Sequence, residues 1–486
     1  MIRRLLLILV AAVSVLGGVL VIRTLTFRSR QVEAAPTTVT IDVTAAAERL
    51  AEVLKFRTIS YQDTSDFDLA EFAALHRYLE TAFPRVHQAL GRETVGGASL
   101  LYTWRGADTS LAPIVLMAHQ DVVPVEPGTE ADWAHSPFSG AISGGYVWGR
   151  GAIDDKSNLT AQLEAVELLL ARGYEPRRTV ILAYGHDEEV GGLNGAARIV
   201  ELLEQRGVRP AFVVDEGGAV AEGIIPGLGF PVAAVGVAEK GYLSLELSVR
   251  VEGGHSSMPP PQTAIGILAR ALERLERKQM PRSLRPATEA MFDYLGPELP
   301  FLTRLVMANR WLFEPVIVRQ FGSTAIGNAM LRTTTAPTMF QAGVKENVLP
   351  SSASAVVNFR ILPGDSIGHV LEHVRRAIDD PRVEIRMLGF RSEPSPTSSV
   401  DSEHFRLIAR SIRQVIPQAV VVPWLVVGGT DSRHFTRLTP DVYRVSLVRA
   451  GPGDMNRIHG TDERVGIENY GEMVRFYVQL LQHAAM

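Results

Sequence analysis

The chain has 486 residues, 46% of them hydrophobic, with 49 basic and 53 acidic side chains and a formal net charge of -4. A length of this order holds two or three domains with a large core, and the near-neutral balance gives none of the basic surface by which a protein grips nucleic acid. There is no cysteine, so disulfides, thiolate metal sites and cysteine nucleophiles are excluded.

Arg3 and Arg4 precede an uncharged run of eighteen residues from Leu5 to Ile22, and Arg23, Arg28 and Arg30 follow it. A helix needs about 20 apolar residues to cross the hydrocarbon core. A signal-peptide core is shorter, about 7 to 15 residues, and ends in a small-x-small cleavage site, which Leu20-Val21-Ile22-Arg23 is not. Residues 1–35 therefore read as an uncleaved membrane anchor with its linker, a cleaved signal and a secreted product being the alternative. Arginines on both sides leave the orientation weakly determined; the catalytic part is expected on the non-cytoplasmic side.

Apolar positions at helical spacing predict helices over Val43 to Phe56 and Leu69 to Leu79. Pro113 to Met117 is an apolar run of buried-strand type and ends in Ala118-His119-Gln120-Asp121. Tyr146 to Gly149 leads into Arg150-Gly151-Ala152-Ile153-Asp154-Asp155-Lys156. A helix follows, with Leu159, Leu163, Val166 and Leu170 on one face and Gly173 as its stop. The strand Val180 to Ala183 then opens into Asp187-Glu188-Glu189 and the pair Gly191-Gly192. A helix from Gly195 to Gln205 and a strand from Ala211 to Val214 come next, the latter ending in Asp215-Glu216-Gly217-Gly218. Strands alternating with helices predict an α/β fold with a mainly parallel sheet covered by helices.

After Gly241 the pattern changes. Leu243, Leu245, Leu247 and Val249 alternate with mostly polar residues, as in a strand with one wet face. A helix on Ile265, Leu268, Leu272 and Leu275, strands near Thr338 to Ala342 and Ser354 to Arg360, a helix on Ile367, Val370, Val374 and Ile378, and a strand from Val383 to Leu388 complete the order βαββαβ. That order predicts an inserted α+β ferredoxin-like lid over residues 241–393, dividing a catalytic domain into 42–240 and 394–486. Within the lid, Phe292 to Phe321 is an aromatic-rich excursion that reads as lining an acyl groove, touching membrane, or packing over the lid. Val420 to Val427 is a strand, Gly428 to Ser432 a turn, and Ile467 to Gln482 a final helix.

The chemistry-bearing residues gather at strand ends and in the loops after them: His119, Asp121, Asp154, Glu188, Glu189, Asp215 and, late in the chain, His459. Parallel sheets bind ligands at the carboxyl ends of their strands. Singly, each residue has an ordinary structural reading: His119 as a strand-end histidine, Asp154 as a helix start, Asp215 as a turn residue, His459 as a surface histidine. Together, two histidines among several carboxylates suit zinc or a similar divalent ion, and two ions sharing one carboxylate would use the acid density.

These motifs resemble those of metallopeptidase family twenty, the co-catalytic zinc family of aminoacylase, carboxypeptidase G and succinyl-diaminopimelate desuccinylase. The matching stretches are His119-x-Asp121, Gly149 to Lys156, Asp187 to Gly192, Asp215-Glu216-Gly217, Gly253 to Ser257, Glu346 to Pro350, Asn358 to Arg360 and Gly428 to Arg433. The insert with Asn309 to Phe313 is similar to that of the carboxypeptidase S and N-fatty-acyl-amino-acid synthase/hydrolase branch. The resemblance implies a dinuclear metallohydrolase of peptides or N-acyl amino acids bearing a free carboxylate. It implies His119 and Asp215 on one zinc, Glu189 and His459 on the other, and Asp154 bridging both, its peptide bond to Asp155 being cis. Cobalt or manganese are possible substitutes. Asp121 would orient His119, Glu188 would be the general base, and His255, Asn347, Arg360, Gly429 and Thr430 would hold substrate, His255 from a dimer partner in some relatives. A dipeptidase specificity, or a non-catalytic binding protein on the same scaffold, are the alternatives; the presence of Glu188 argues against the second.

Overall fold

Four apolar strands, Val180–Gly185, Ile114–His119, Phe212–Asp215 and Val442–Arg444, lie side by side and parallel at the centre of the computed structural model, which describes residues 1–61, 66–224 and 228–485. Every residue of these strands is buried, because helices cover both faces of a parallel sheet. Their side chains alternate. Ile114, Leu116 and Ala118 enter the core on one face, and Val115 and Met117 the core on the other. The helices Val43–Val53, Lys156–Ala171 and Ile467–Ala484 cover the first face, and Ala196–Gln205 the second. Removing one such side chain, as in Leu116→Ala, costs about 2–5 kcal/mol.

Two antiparallel strands, Gly91–Val95 and Ser99–Trp104, extend one edge. On the other side Val232–Glu239 pairs antiparallel with Val442–Arg444 and parallel with Val420–Val426. Arg444 is fully buried there and donates from Nε to Glu239 Oε2 at 3.0 Å.

The second body is a four-stranded antiparallel sheet in the order Thr334–Ala342, Ser352–Ile361, Gly241–Arg250, Val383–Ser392. The helices Ala264–Arg277 and Ile367–Ile378 pack on one face of it around a separate hydrophobic core. This is the ferredoxin-like lid. The aromatic-rich excursion departs from its expected grouping with the lid. Its helices Pro286–Leu295, Phe301–Ala308 and Arg310–Phe321, with Ala325–Leu331, set Met291, Phe292, Ile317 and Met330 into the core of the parallel sheet. The helix Pro286–Leu295 lies against Val420–Val426. These positions are large and apolar, and they are buried against the parallel sheet rather than on the lid.

At the start of the chain, Ile2–Thr26 is a single 25-residue helix whose most apolar window has a mean hydropathy of 3.0 and no buried residue.

Candidate metal centre

The loops that follow the parallel strands converge on Asp154. Its Oδ1 accepts from His119 Nε2 at 2.9 Å, and its Oδ2 lies 3.1 Å from His459 Nε2. Glu216 Oε1 is 3.4 Å from the same His119 nitrogen, and Glu189 Oε2 is 3.4 Å from that of His459. Two donor groups result, His119–Asp154–Glu216 and Asp154–Glu189–His459, each with its ligand atoms within 4.8 Å of one another. The shared carboxylate thus turns one oxygen to each group. The peptide bond Asp154–Asp155 is cis.

Asp215 is not in either group. Its Oδ2 accepts from the Ser432 amide at 2.8 Å, at the start of the short helix Asp431–Arg437. Glu216, the first residue past the end of the strand Phe212–Asp215, is the acid that meets His119. The three neighbouring acids of the central loop also separate. Asp187 accepts from the amides of Asn194 and Gly195, both at 2.8 Å, and shapes the loop. Glu189 joins His459. Glu188 is half-buried beside Arg433, whose Nη2 lies 3.4 Å from its Oε1. The glycine pair is required: a Cβ on Gly192, at φ +66°, would lie 1.9 Å from Asp431 Oδ1.

The imidazoles are held from behind. His119 Nδ1 donates to the Asp121 carbonyl at 2.9 Å, with the Asp121 carboxylate at 3.3 Å. That carboxylate also accepts from Ser60 Oγ and from the amides of Glu188 and Glu189, so one residue registers the His119 and Glu188 loops against each other. Glu463 does the same on the other side. It accepts from the amides of Gly151, Ile153 and Asp154 and from Arg150 Nη1, while Arg150 Nη2 donates to the His459 carbonyl. Its position four residues after His459 was the available sequence signal.

The electrostatics describe a site short of positive charge. Burial and then the Asp154 charge push Glu216 up to about 8, and burial raises Glu188 and Glu189. His459 rises to about 10 through its hydrogen bonds with Asp154 and Glu189. Burial works to raise Asp154 as well, yet its bonds with His119 and His459 hold it below the usual carboxylate range. Glu189 Oε1 is buried without a partner. Imidazole and carboxylate donors in two groups, one shared acid and one orphaned oxygen fit a pair of divalent cations of the zinc kind.

A model of peptidase family M20/M25/M40 matches residues 115–483. The chain belongs to peptidase family M20. It is a metal-dependent peptidase or amidohydrolase, with the α/β-plus-lid fold of that family. It is 42% identical over 441 residues to a probable carboxypeptidase S-like protein of Dictyostelium discoideum, the match covering 90% of this chain and 84% of that one. To the N-fatty-acyl-amino acid synthase/hydrolase of Xenopus tropicalis it is also 42% identical, over 90% of this chain and 85% of the relative. Carboxypeptidase S of Saccharomyces cerevisiae is 29% identical, over 91% and 83%. The crystal structure of an M20 family metallo-carboxypeptidase from Sulfolobus solfataricus superposes with a TM-score of 0.66 at 20% identity, covering 91% of this chain and 99% of that one.

The expected substrate residues are scattered. Arg360 lies with its guanidinium 4.7 Å from the Tyr242 ring, close enough to Arg433 and Glu188 for their charges to act on it. Thr430 turns away: its amide and hydroxyl both donate to Glu239 Oε2. Gly429 packs against the Arg433 guanidinium. His255 and Asn347 are exposed neighbours on the rim of the lid, joined by the Ser256 amide donating to the Asn347 carbonyl. Among the described residues no hydrogen bond links these two to the carboxylate cluster. Arg433, in the same turn as Gly429 and Thr430, is the residue of that motif that does reach Glu188.

Proposed function

We propose that the chain hydrolyses the amide bond of an N-acyl amino acid or a carboxy-terminal peptide with a free carboxylate. His119, Asp154 and Glu216 would hold one zinc ion, and Asp154, Glu189 and His459 the other. Bound there, the pair of ions supplies Lewis-acid polarisation of the amide carbonyl and eases ionisation of the attacking water. Glu188, half-buried beside both donor groups and committed to neither, takes the proton from that water and delivers it to the leaving amine. Arg433 keeps the Glu188 carboxylate in place, and Arg360, the neighbouring guanidinium, receives the substrate carboxylate through a charge-assisted pair. Asp121 fixes the tautomer of His119 and Glu463 fixes the Asp154 loop, as outer groups do around metal ligands. The N-terminal helix Ile2–Thr26 anchors the enzyme to the membrane. The observation that carries the reading is the Asp154 carboxylate, presenting one oxygen to each of two histidine–acid groups with a free glutamate alongside.

The test uses the full chain in detergent with two equivalents of zinc. Amine release is followed from N-acyl amino acids of increasing chain length and from dipeptides, against Glu188→Gln. The variant is expected to bind both ions and to lose about 10²–10⁴ in kcat. Equal turnover by the variant removes Glu188 as the base. No turnover on any member by the parent points to a binding protein.

A further inference from the structure

The helix Arg310–Phe321 carries large apolar side chains on more than one side, and the protein covers one of them. Phe313, Ile317 and Phe321 face the core. Trp311, Leu312 and Val316, within five residues of one another, are exposed, Trp311 by 55% and Val316 by 56%. Leu302 on the preceding helix is 78% exposed. An exposed apolar patch of this kind marks a contact surface.

What covers it is decided by the helix Ile2–Thr26. That helix touches the rest of the molecule through its C-terminal end, where it packs on Phe301–Ala308. Asn309, fully buried, donates from Nδ2 to the Leu20 carbonyl at 3.1 Å and reaches Thr24 Oγ1, while Arg23 Nε donates to the Ala308 carbonyl. Phe27 packs on Gly296. Leu20 lies inside the uncharged run Leu5–Ile22. That run is about 27 Å long as a helix, close to the thickness of a hydrocarbon core. If the run spans the bilayer, its end at Ile22 marks the boundary of the acyl chains, and the helices bonded to Leu20 and Arg23 lie at that boundary. The charges agree. From Pro300 to Arg332 there is one acid, Glu314, against Arg304, Arg310, Arg319 and Arg332, with Arg23 and Arg28 adjacent, a balance that suits anionic headgroups.

We propose that the pair of helices Phe301–Ala308 and Arg310–Phe321 is a second membrane element, inserted side-on into the same leaflet that receives the C-terminal end of the anchor helix. Leu302, Trp311, Leu312 and Val316 enter the acyl region, and Arg304 and Arg319 meet the phosphates, Arg310 being held by Asp293. This rests on the anchor reading above and extends it: the enzyme is held at two points, and its orientation on the bilayer is fixed.

The absence of cysteine makes the test direct. Leu302→Cys and Val316→Cys are made in the full chain, with Val10→Cys in the anchor and Met258→Cys on the lid as references; Trp311→Cys replaces either if it fails to fold. Each is labelled with an environment-sensitive fluorophore and reconstituted into phosphatidylcholine–phosphatidylglycerol vesicles containing lipid spin-labelled high on the acyl chain. Probes at 302 and 316 are expected to shift to the blue and to be quenched, as at position 10, while the probe at 258 reads as in buffer. Quenching at 10 but not at 302 or 316 overturns the proposal and leaves the anchor standing, the face then being open to water or to a protein. Failure to quench at 10 overturns both.

Discussion

Asp215 ends a strand and Glu216 begins the loop after it, and the two acids do different work. Asp215 caps the turn at Ser432, and Glu216 stands 3.4 Å from His119. Glu216→Gln is therefore expected to retain one equivalent of zinc fewer than the parent after dialysis, measured by elemental analysis, with loss of turnover. Asp215→Ala takes the nearer acceptor from the Ser432 amide and leaves it the longer bond to Thr430 Oγ1 at 3.3 Å, a loss of about 0.5–1.5 kcal/mol. It is expected to keep both ions and to melt at a lower temperature. The opposite pattern of metal content would make Asp215 the ligand. The sequence shows why the distinction was not legible there. The pair Asp-Glu satisfies the spacing with either member, and the turn of the chain past the strand end at Asp215 is what sets Glu216 beside the histidine.

At the scale of loops and strands, Glu463 has the widest reach, accepting from three consecutive-loop amides and Arg150. Glu463→Gln removes the buried ion pair and turns an NH2 donor on either Arg150 or the three loop amides that share Oε1. Breaking such a pair costs about 3–5 kcal/mol, and loss of an outer group weakens metal affinity about 10–100-fold. Both are expected, read by denaturant melts and by zinc competition with a chelating dye. The short helix Asp431–Arg437 carries a second consequence. His434 donates to the Gly191 carbonyl at 3.1 Å, and burial, with Arg433 beside it, lowers its pKa to about 4. A free imidazole titrates near 6.5, so the unfolded chain takes up the proton first as pH falls. Stability present above pH 6.5 is lost between there and 4, by up to about 3 kcal/mol at 1.36 kcal/mol per pKa unit. His434→Gln keeps a donor for Gly191 and is expected to flatten that acid limb in melts across this range. The elements read well from sequence were those with unbroken apolar runs, such as Val180 to Ala183 and Pro113 to Met117. Val442–Arg444 gives no such signal, because it is three residues long and ends in an arginine neutralised by Glu239. Neither does Val232–Glu239, whose alanines and glycine carry little β-propensity.

Over the whole molecule, the two hydrophobic cores divide the expected response to metal removal. All five proposed ligands belong to the body of the parallel sheet and none to the lid, which is built on its own core from Leu243 to Val383. Without cations Asp154, Glu188, Glu189 and Glu216 stand together against His119, His459, Arg433 and the neighbouring Arg360, and like charges at such distances repel. The lid sheet meets this cluster only at its edge, through Arg360 and through Phe390 under the Arg433 guanidinium, and supplies none of the proposed ligands. A ligand present at 100 times its Kd stabilises the native state by about 2.7 kcal/mol, and each ion removed withdraws its share from the parallel-sheet body alone. Calorimetry of the full chain is thus expected to show one transition with zinc and two after chelation, the lower belonging to the sheet body and returning to its former position when zinc is restored. A single transition that shifts as a whole on chelation would show that the lid and sheet unfold as one unit.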